Sequence, residues 1–184
     1  MTDGKAVNVG QGVVTGVYQT CFYVENEART CGVRVESTEA VSVGNIVTVN
    51  GVLGSTGTER SVTALSVTVN GQKTPPLRSL ALRNSALGGA NKGYVPGYGG
   101  IGVNNVGLLV TTVGAKQNPD PGGAYFYVND GSTPGGVKVV LTGAKTAITI
   151  PSATFLTVTG ECSLDSDGKA IVRPRSQADV LAVM

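Results

Sequence analysis

The chain has 184 residues and a formal net charge of +2, and only 14% of its residues are charged. It contains no histidine, which excludes every Ser/His or Cys/His catalytic pair and every zinc site that uses histidine. The three cysteines, Cys21, Cys31 and Cys162, show no CxxC spacing, so a thioredoxin-like motif and a four-cysteine metal site are also excluded. We therefore expect no enzyme activity, no cofactor and no bound metal. No apolar run approaches the roughly 20 residues of a membrane helix, so we expect no membrane span.

The composition and an internal repeat indicate an all-β protein built from two copies of one unit. The chain has 27 glycines and many valines and threonines, which favour strands and tight turns. Phe22-Tyr23-Val24-Glu25 with Gly32-Val33-Arg34-Val35 returns as Phe126-Tyr127-Val128-Asn129 with Gly136-Val137-Lys138-Val139. The predicted boundaries are an N-terminal arm at 1–11, a first barrel at 12–72, a linker strap at 73–105 and a second barrel at 106–184.

The N-terminal arm is polar except for one short alternation, Ala6-Val7-Asn8-Val9, which is typical of a strand. The sequence shows no partner for it. We therefore consider Ala6, Val7, Asn8 and Val9 a candidate assembly strand, able to pair with the sheet edge of a neighbouring molecule.

The first copy is predicted to hold five short strands that close into a small barrel. Gly16 lies in the first of them and would let that strand bend sharply, as closure of a small sheet requires. In chain order, the five predicted strands are Gly12–Tyr18, Cys31–Glu36, Ile46–Val52, Arg60–Ala64 and Ser66–Val69.

The segment 73–105 contains prolines and glycine-rich stretches but also leucines and tyrosines, which a purely flexible tether would not need. We expect an ordered strap packed on one or both barrels. Within it, Leu77–Leu87 is compatible with one or two helical turns that end at the following glycines.

The strap is also basic, since no Asp or Glu occurs from Arg60 to Pro119. It could lie against acidic surfaces of its own two domains, or it could attract an external anion. In the second case Arg78 and Arg83 are candidate ligand-binding residues.

The second copy follows the first with insertions. Leu109–Val113 matches Val13–Val17, and Gln117–Gly123, with two prolines and two glycines, is an inserted loop. Asp165-Ser166-Asp167-Gly168 is similar to the start of a calcium loop, but the distal Glu of that pattern is missing. Asp-Gly between two strands first of all predicts a hairpin turn.

Three motifs of the first copy occur in order: Phe22–Glu25, then Gly32–Val35, then Val43-Gly44-Asn45 leading into Val47–Gly51. Together they resemble an OB-fold of the bacterial, nucleic-acid-binding-like type. The second copy, with Gly102–Val110, resembles tandem OB modules of bacterial secreted or surface proteins. The resemblance implies two tandem five-stranded OB-like barrels and an extracellular or cell-surface location. It implies little about activity, since OB-folds bind DNA, RNA, oligosaccharides and proteins alike.

A repeated tyrosine and cation form a candidate ligand surface. The alternation that turns Phe22 inward turns Tyr23 outward, beside Arg34 on the next strand, and the second copy repeats the pair as Tyr127 and Lys138. Outward aromatics and cations are what single-stranded nucleic acid needs for stacking and phosphate contact. Cross-strand pairs of this kind are also ordinary surface covering.

The scattered carboxylates, among them Glu25, Glu27, Glu36 and Glu39, need no explanation beyond a solvated strand edge.

Cys21 and Cys31 flank one hairpin, and we predict a disulfide between them if the protein resides outside the reducing cytosol. Closing this short loop would contribute roughly 2 to 3 kcal/mol. Strand parity places the two side chains on opposite faces, so the bond needs a bulge in the Glu25–Thr30 turn. Cys162 is expected to be free and buried.

Two functions are compatible with the sequence. The first is a non-enzymatic extracellular or surface structural protein that assembles with copies of itself into a filament or lattice, for which low charge and abundant Thr, Ser, Gly and Val are suited. The second is a binding module for single-stranded nucleic acid or an anionic polysaccharide, using the tyrosine–cation pairs and the basic strap.

Overall fold

The structure is a computed structural model that describes residues 3–90 and 98–183. These ranges contain twelve β-strands and two single-turn 3₁₀ helices, at Asn84–Ala86 and Gln177–Asp179, which confirms the all-β prediction. None of the helices in these ranges has the length and apolar character needed to cross a membrane. Part of the predicted strap, residues 91–97, lies outside the described residues.

Five strands of the first half form a closed barrel, as predicted. They are β1 (Ala6–Val17), β2 (Cys21–Glu25), β3 (Gly32–Glu36), β4 (Asn45–Thr56) and β5 (Glu59–Gln72). Around the barrel their order is β1-β2-β3-β5-β4, and β4 pairs with β1 to close it. β3 and β5 run parallel, while the other neighbours are antiparallel. The core of the barrel is built mainly from inward-facing valines around Phe22.

The strands of the barrel differ from the predicted set. Arg60–Ala64 and Ser66–Val69, predicted as two strands, are one continuous strand, because no glycine or proline separates them. The aromatic stretch from Cys21 to Glu25 is itself a strand, which keeps the total at five. The register between β1 and β2 shifts between Val14 and Gly16, so the bend lies where the glycine indicates it.

The candidate assembly strand is already paired inside the molecule. Ala6–Val9 is the first part of β1 and lies antiparallel to β4, with Ala6 opposite Val52 and Val9 opposite Val49. The N-terminal segment is therefore part of the barrel sheet rather than a separate arm.

The second half forms a seven-stranded sheet. Its strands are β6 (Leu80–Ala81), β7 (Leu109–Gln117), β8 (Tyr125–Asn129), β9 (Val137–Val140), β10 (Phe155–Leu164), β11 (Ala170–Arg173) and β12 (Val180–Ala182). Their order is β12-β10-β11-β9-β8-β7-β6, with an additional antiparallel pairing between β7 and β10. As β3 does with β5, β9 runs parallel to β11. The pairings among β7 to β11 thus repeat those among β1 to β5.

The segment between the two halves contributes to the second sheet. Leu87 is buried in the core of that sheet, and Leu80 and Leu82 pack against it. Of the helical turns considered for Leu77–Leu87, one forms, at Asn84–Ala86.

Candidate functional site

A groove of about 530 Å³ lies beside β8 and β9 of the second sheet. It is bounded by these strands, by the 3₁₀ helix at Asn84–Ala86 and by the turn between β10 and β11. The side chains that line it include Asn84, Tyr98, Tyr127, Lys138, Asp167 and Lys169. We call it the β8–β9 groove.

Tyr127 and Lys138 are directly opposite each other in β8 and β9, and both line the groove. Their chain neighbours Phe126 and Val139 are fully buried in the core, so strand alternation turns the tyrosine and the lysine outward. The Lys138 ammonium lies 4.2 Å from the centroid of the Tyr125 ring, and the Tyr125 and Tyr127 rings meet edge to face at 6.1 Å. A cation and two aromatic rings therefore stand together here.

The groove carries charges of both signs, since Lys138, Lys169, Asp165 and Asp167 are among its lining residues. Asp165 Oδ1 accepts the backbone N–H groups of Asp167 and Lys169, both at 2.9 Å, and Gly168 takes a left-handed conformation with φ of 75°. The Asp-Gly stretch thus forms the predicted hairpin turn, which uses this carboxylate. Across residues 3–90 and 98–183, no three His, Cys, Asp or Glu side chains are grouped as metal ligands.

The corresponding pair on the barrel is covered. Tyr23 and Arg34 are opposite each other in β2 and β3, but Tyr23 is fully buried and the Arg34 side chain is only 11% exposed. The Tyr23 hydroxyl donates to Glu59 Oε2 at 3.1 Å and lies 3.2 Å from Ser163 Oγ of β10. Arg34 Nε pairs with Glu36 at 2.6 Å. The expectation of an accessible ligand pair is wrong here, because the second sheet lies on this face of the barrel.

The two candidate arginines of the strap are both exposed. Arg83 directly precedes the 3₁₀ helix whose Asn84 lines the groove, whereas Arg78 lies in the loop before β6. The structure therefore places Arg83 beside the groove and Arg78 apart from its lining.

Hydrogen bonds join the second sheet to the barrel, and we call their contact the internal interface. They include bonds from the Tyr18 hydroxyl to the Arg173 carbonyl at 2.5 Å, from Arg175 Nη1 to the Thr15 carbonyl at 2.9 Å, and from the Leu109 amide to the Glu25 carboxylate. The backbones come close where Gly32 meets Gly107, since a side chain at Gly32 would overlap the Gly107 carbonyl group.

Three glutamates are buried at the internal interface. Glu25 and Glu161 are fully buried and Glu59 is 2% exposed. Burial raises the pKa of Glu25 to about 7 and also raises the pKa of Glu59. Burial, with the charge of Glu25 as the next cause, raises the pKa of Glu161 well above its ordinary value.

The burial of these three glutamates was not predicted from the sequence. The prediction that Glu25 lies on a solvated strand edge is wrong, because this side chain is fully buried. Glu25 shares a strand face with Tyr23, two residues away. In the sequence, the one indication of this burial is that spacing: an element that covers Tyr23 also covers Glu25.

The predicted disulfide does not form. Cys21 and Cys31 are free thiols, the first buried and the second exposed. Cys21 lies opposite Glu36 at one end of the β2–β3 ladder, whereas Cys31 precedes Gly32 at the other end. Cys31 lies five residues before Glu36, the residue opposite Cys21, which is about 16 Å along the ladder and exceeds the reach of a disulfide. Cys162 is free and fully buried, as predicted.

Two strand edges of the barrel are open within the part of the chain that the structure describes. β1 pairs with β2 only from Val13 onward, so the Ala6–Gly12 stretch has β4 on one side alone. β5 pairs with β3 only at Ser61–Thr63, so the Ala64–Gln72 stretch also has β4 alone. Neither stretch contains a charged residue or a proline, and Leu65 and Val69 are 76% and 49% exposed.

We compared the chain with protein-family models, with curated proteins and with solved structures, and none of them matches it.

Proposed function

We propose that this chain is a non-enzymatic structural protein that assembles with copies of itself through strand edges, outside the cell or at its surface. One observation carries the proposal: the Ala6–Gly12 and Ala64–Gln72 edges are open, uncharged and free of proline. Monomeric β-proteins usually protect such edges with charges, prolines or covering loops, because an open edge pairs with another chain. Two unprotected edges in one molecule favour assembly.

The directions of the strands indicate how copies would join. β1 and β5 are both antiparallel to β4 and lie on opposite sides of it. They therefore run in the same direction, and the β5 edge of one copy can pair in parallel with the β1 edge of the next. This contact joins two different surfaces, and its repetition gives an open polymer unless the rotation closes a ring.

We further infer that β7 to β11 form a second OB-like barrel, so that the subunit contains two tandem copies. The inference is supported by the strand pairings, which match those of β1 to β5 in order and direction, including the single parallel pair. The ordered strap remains part of the proposal for the segment between them.

The assembly proposal is tested by placing a charge on one open edge. We expect Val69→Lys to lower the concentration-dependent light scattering of the purified protein, because an edge lysine opposes strand pairing. Val113→Lys is the matched control, since Val113 is also 49% exposed but lies on β7, which has strands on both sides. Equal loss of scattering in both variants, or no scattering in the unmodified protein, contradicts the proposal.

A second function, binding of single-stranded nucleic acid or an anionic polysaccharide, is favoured by the joint position of Tyr127 and Lys138 in the β8–β9 groove. We expect Lys138→Ala to weaken binding of a mixed oligonucleotide and to reduce its salt dependence, because one fewer phosphate is neutralised. Lys145→Ala, at an exposed lysine apart from the groove lining, is the control. Equal affinity of both variants at low salt contradicts this function.

A further inference from the structure

At the internal interface, the carboxyl groups of Glu25 and Glu161 have too few hydrogen-bond partners in the surrounding protein. One oxygen of Glu25 and both oxygens of Glu161 are buried without a hydrogen-bond partner in the protein. The buried Thr15 hydroxyl lies beside both carboxyl groups, and its one proton can be donated to only one oxygen at a time. Buried ionised carboxylates are stable only when they are paired, so this arrangement disfavours two negative charges.

The charges around the pair do not balance. Glu25, Glu161 and Asp179 face the guanidinium groups of Arg29 and Arg175. Arg175 donates to both oxygens of Asp179, at 2.9 and 2.7 Å, so that pair is internally neutral. Among the residues that the structure describes, this leaves Arg29, whose charge acts on Glu25, as the cation for the two glutamates. One proton retained by the glutamates makes the cluster neutral.

The Arg173 guanidinium lies 5.5 Å from the centroid of the Tyr18 ring, and its charge partly offsets the rise that burial causes in the pKa of Glu59, so we count this charge with Glu59 rather than with the pair. Tyr18, the residue after β1, lies near Glu161, and its hydroxyl donates to the Arg173 carbonyl. Burial raises the pKa of Tyr18 well above the ordinary value. The phenol is therefore neutral throughout the pH range in which the glutamates titrate. A side chain at Gly16 would lie 2.6 Å from Glu161 Oε1, which shows how closely β1 covers the carboxyl group.

We propose that this pair is a proton-dependent lock: one proton retained by the Glu25 and Glu161 carboxyl groups keeps the second sheet on the barrel, and its release to solvent as the pH rises uncovers the Tyr23 and Arg34 face. The lock is independent of the assembly edges, since β2 and β10 carry the pair and β1 and β5 carry the edges.

The sign of the pH dependence follows from the direction of the shift. The pKa of Glu25 is raised by burial from 4.5 to about 7, and that of Glu161 is also raised. The stabilisation of the closed state by these groups is complete below about pH 4.5. It declines as the pH rises through 7, because the open state then releases protons that the closed state holds. The opening equilibrium shifts by about tenfold per pH unit for each such group within this window. Glu27 has the opposite effect: the hydrogen bond and charge of Lys73 lower its pKa, so its stabilising contribution is lost as the pH falls rather than as it rises.

The three cysteines of the unmodified chain report where the molecule opens. Cys31 is exposed, Cys21 is buried in a cluster with Tyr18 and Tyr23 at the internal interface, and Cys162 is fully buried in the core of the second sheet. Opening of the interface alone labels Cys21 and leaves Cys162 protected. Unfolding of the molecule labels both.

The experiment compares iodoacetamide labelling of each cysteine by mass spectrometry, from pH 5 to pH 9, in the unmodified protein and in Glu161→Gln. Glutamine imitates the protonated carboxyl group, so Glu161→Gln should stay closed as the pH rises. We therefore expect the ratio of Cys21 labelling to Cys31 labelling to increase at least about tenfold more in the unmodified protein than in Glu161→Gln. Glu39→Gln, at an exposed carboxylate, should follow the unmodified protein. Equal curves for Glu161→Gln and the unmodified protein, or labelling of Cys162 together with Cys21, overturns the lock. If Glu161→Gln does not fold, Glu25→Gln provides the same comparison with the same two outcomes.

Discussion

The β2–β3 face of the barrel and the β8–β9 face of the second sheet present the same motif in opposite surroundings. Tyr23 and Arg34 lie under the second sheet, where the tyrosine hydroxyl reaches Glu59 and Ser163. Tyr127 and Lys138 lie in an open groove. Strand alternation therefore determines which side chains point away from the core of their own sheet. It does not determine whether those side chains reach solvent, because that depends on what packs on the sheet afterwards.

We expect the largest difference in stability between alanine substitutions at Tyr23 and at Tyr127. Tyr23→Ala should lower the free energy of unfolding by about 3 to 5 kcal/mol, because it leaves a cavity in a fully buried contact. The same substitution at half-buried Tyr127 should cost about 1 kcal/mol or less. Urea denaturation of both variants measures the difference. Similar losses at the two positions would show that the two faces are equally covered.

A somewhat smaller effect is expected from the backbone contact that brings the halves together. Gly32→Ala should destabilise the protein by about 1 to 3 kcal/mol, because the added methyl group overlaps Gly107 and forces the sheets apart. Gly54→Ala is the matched control on β4, since a side chain there meets nothing within 4 Å. Thermal unfolding of the two variants should therefore differ clearly, and equal midpoints would argue against close contact at Gly32.

The smallest effect concerns a single hydroxyl group. Tyr23→Phe should cost about 0.5 to 1.5 kcal/mol, because it removes one buried hydrogen bond to Glu59 while Ser163 still donates to the same oxygen at 2.6 Å. Tyr127→Phe should leave the unfolding midpoint unchanged. A loss at Tyr127 as large as that at Tyr23 would mean that the groove hydroxyl has a buried partner.

The sequence predicted the local structure well where the signal was local. The valine alternation around Phe22 predicted the barrel core, and Asp-Gly at 167–168 predicted the hairpin between β10 and β11. The two predicted strands Arg60–Ala64 and Ser66–Val69 are one strand, β5, which continues through Leu65 although that apolar side chain is 76% exposed.

The internal interface could not be predicted, because its partners are far apart in the chain. Glu59 meets Ser163, and Glu25 meets Leu109, across 104 and 84 residues. No composition or spacing rule connects such positions. The failed disulfide has a related cause: Cys21 and Cys31 are near in sequence, but an extended strand lies between them and keeps them apart.

Electron microscopy of the purified, unmodified protein is the decisive test of the proposal that copies of this chain assemble through the two open edges. We expect regular polymers at high protein concentration, present in Val113→Lys and absent in Val69→Lys. Single particles of one subunit at every concentration in the unmodified protein, or polymers that persist unchanged in Val69→Lys, would contradict it.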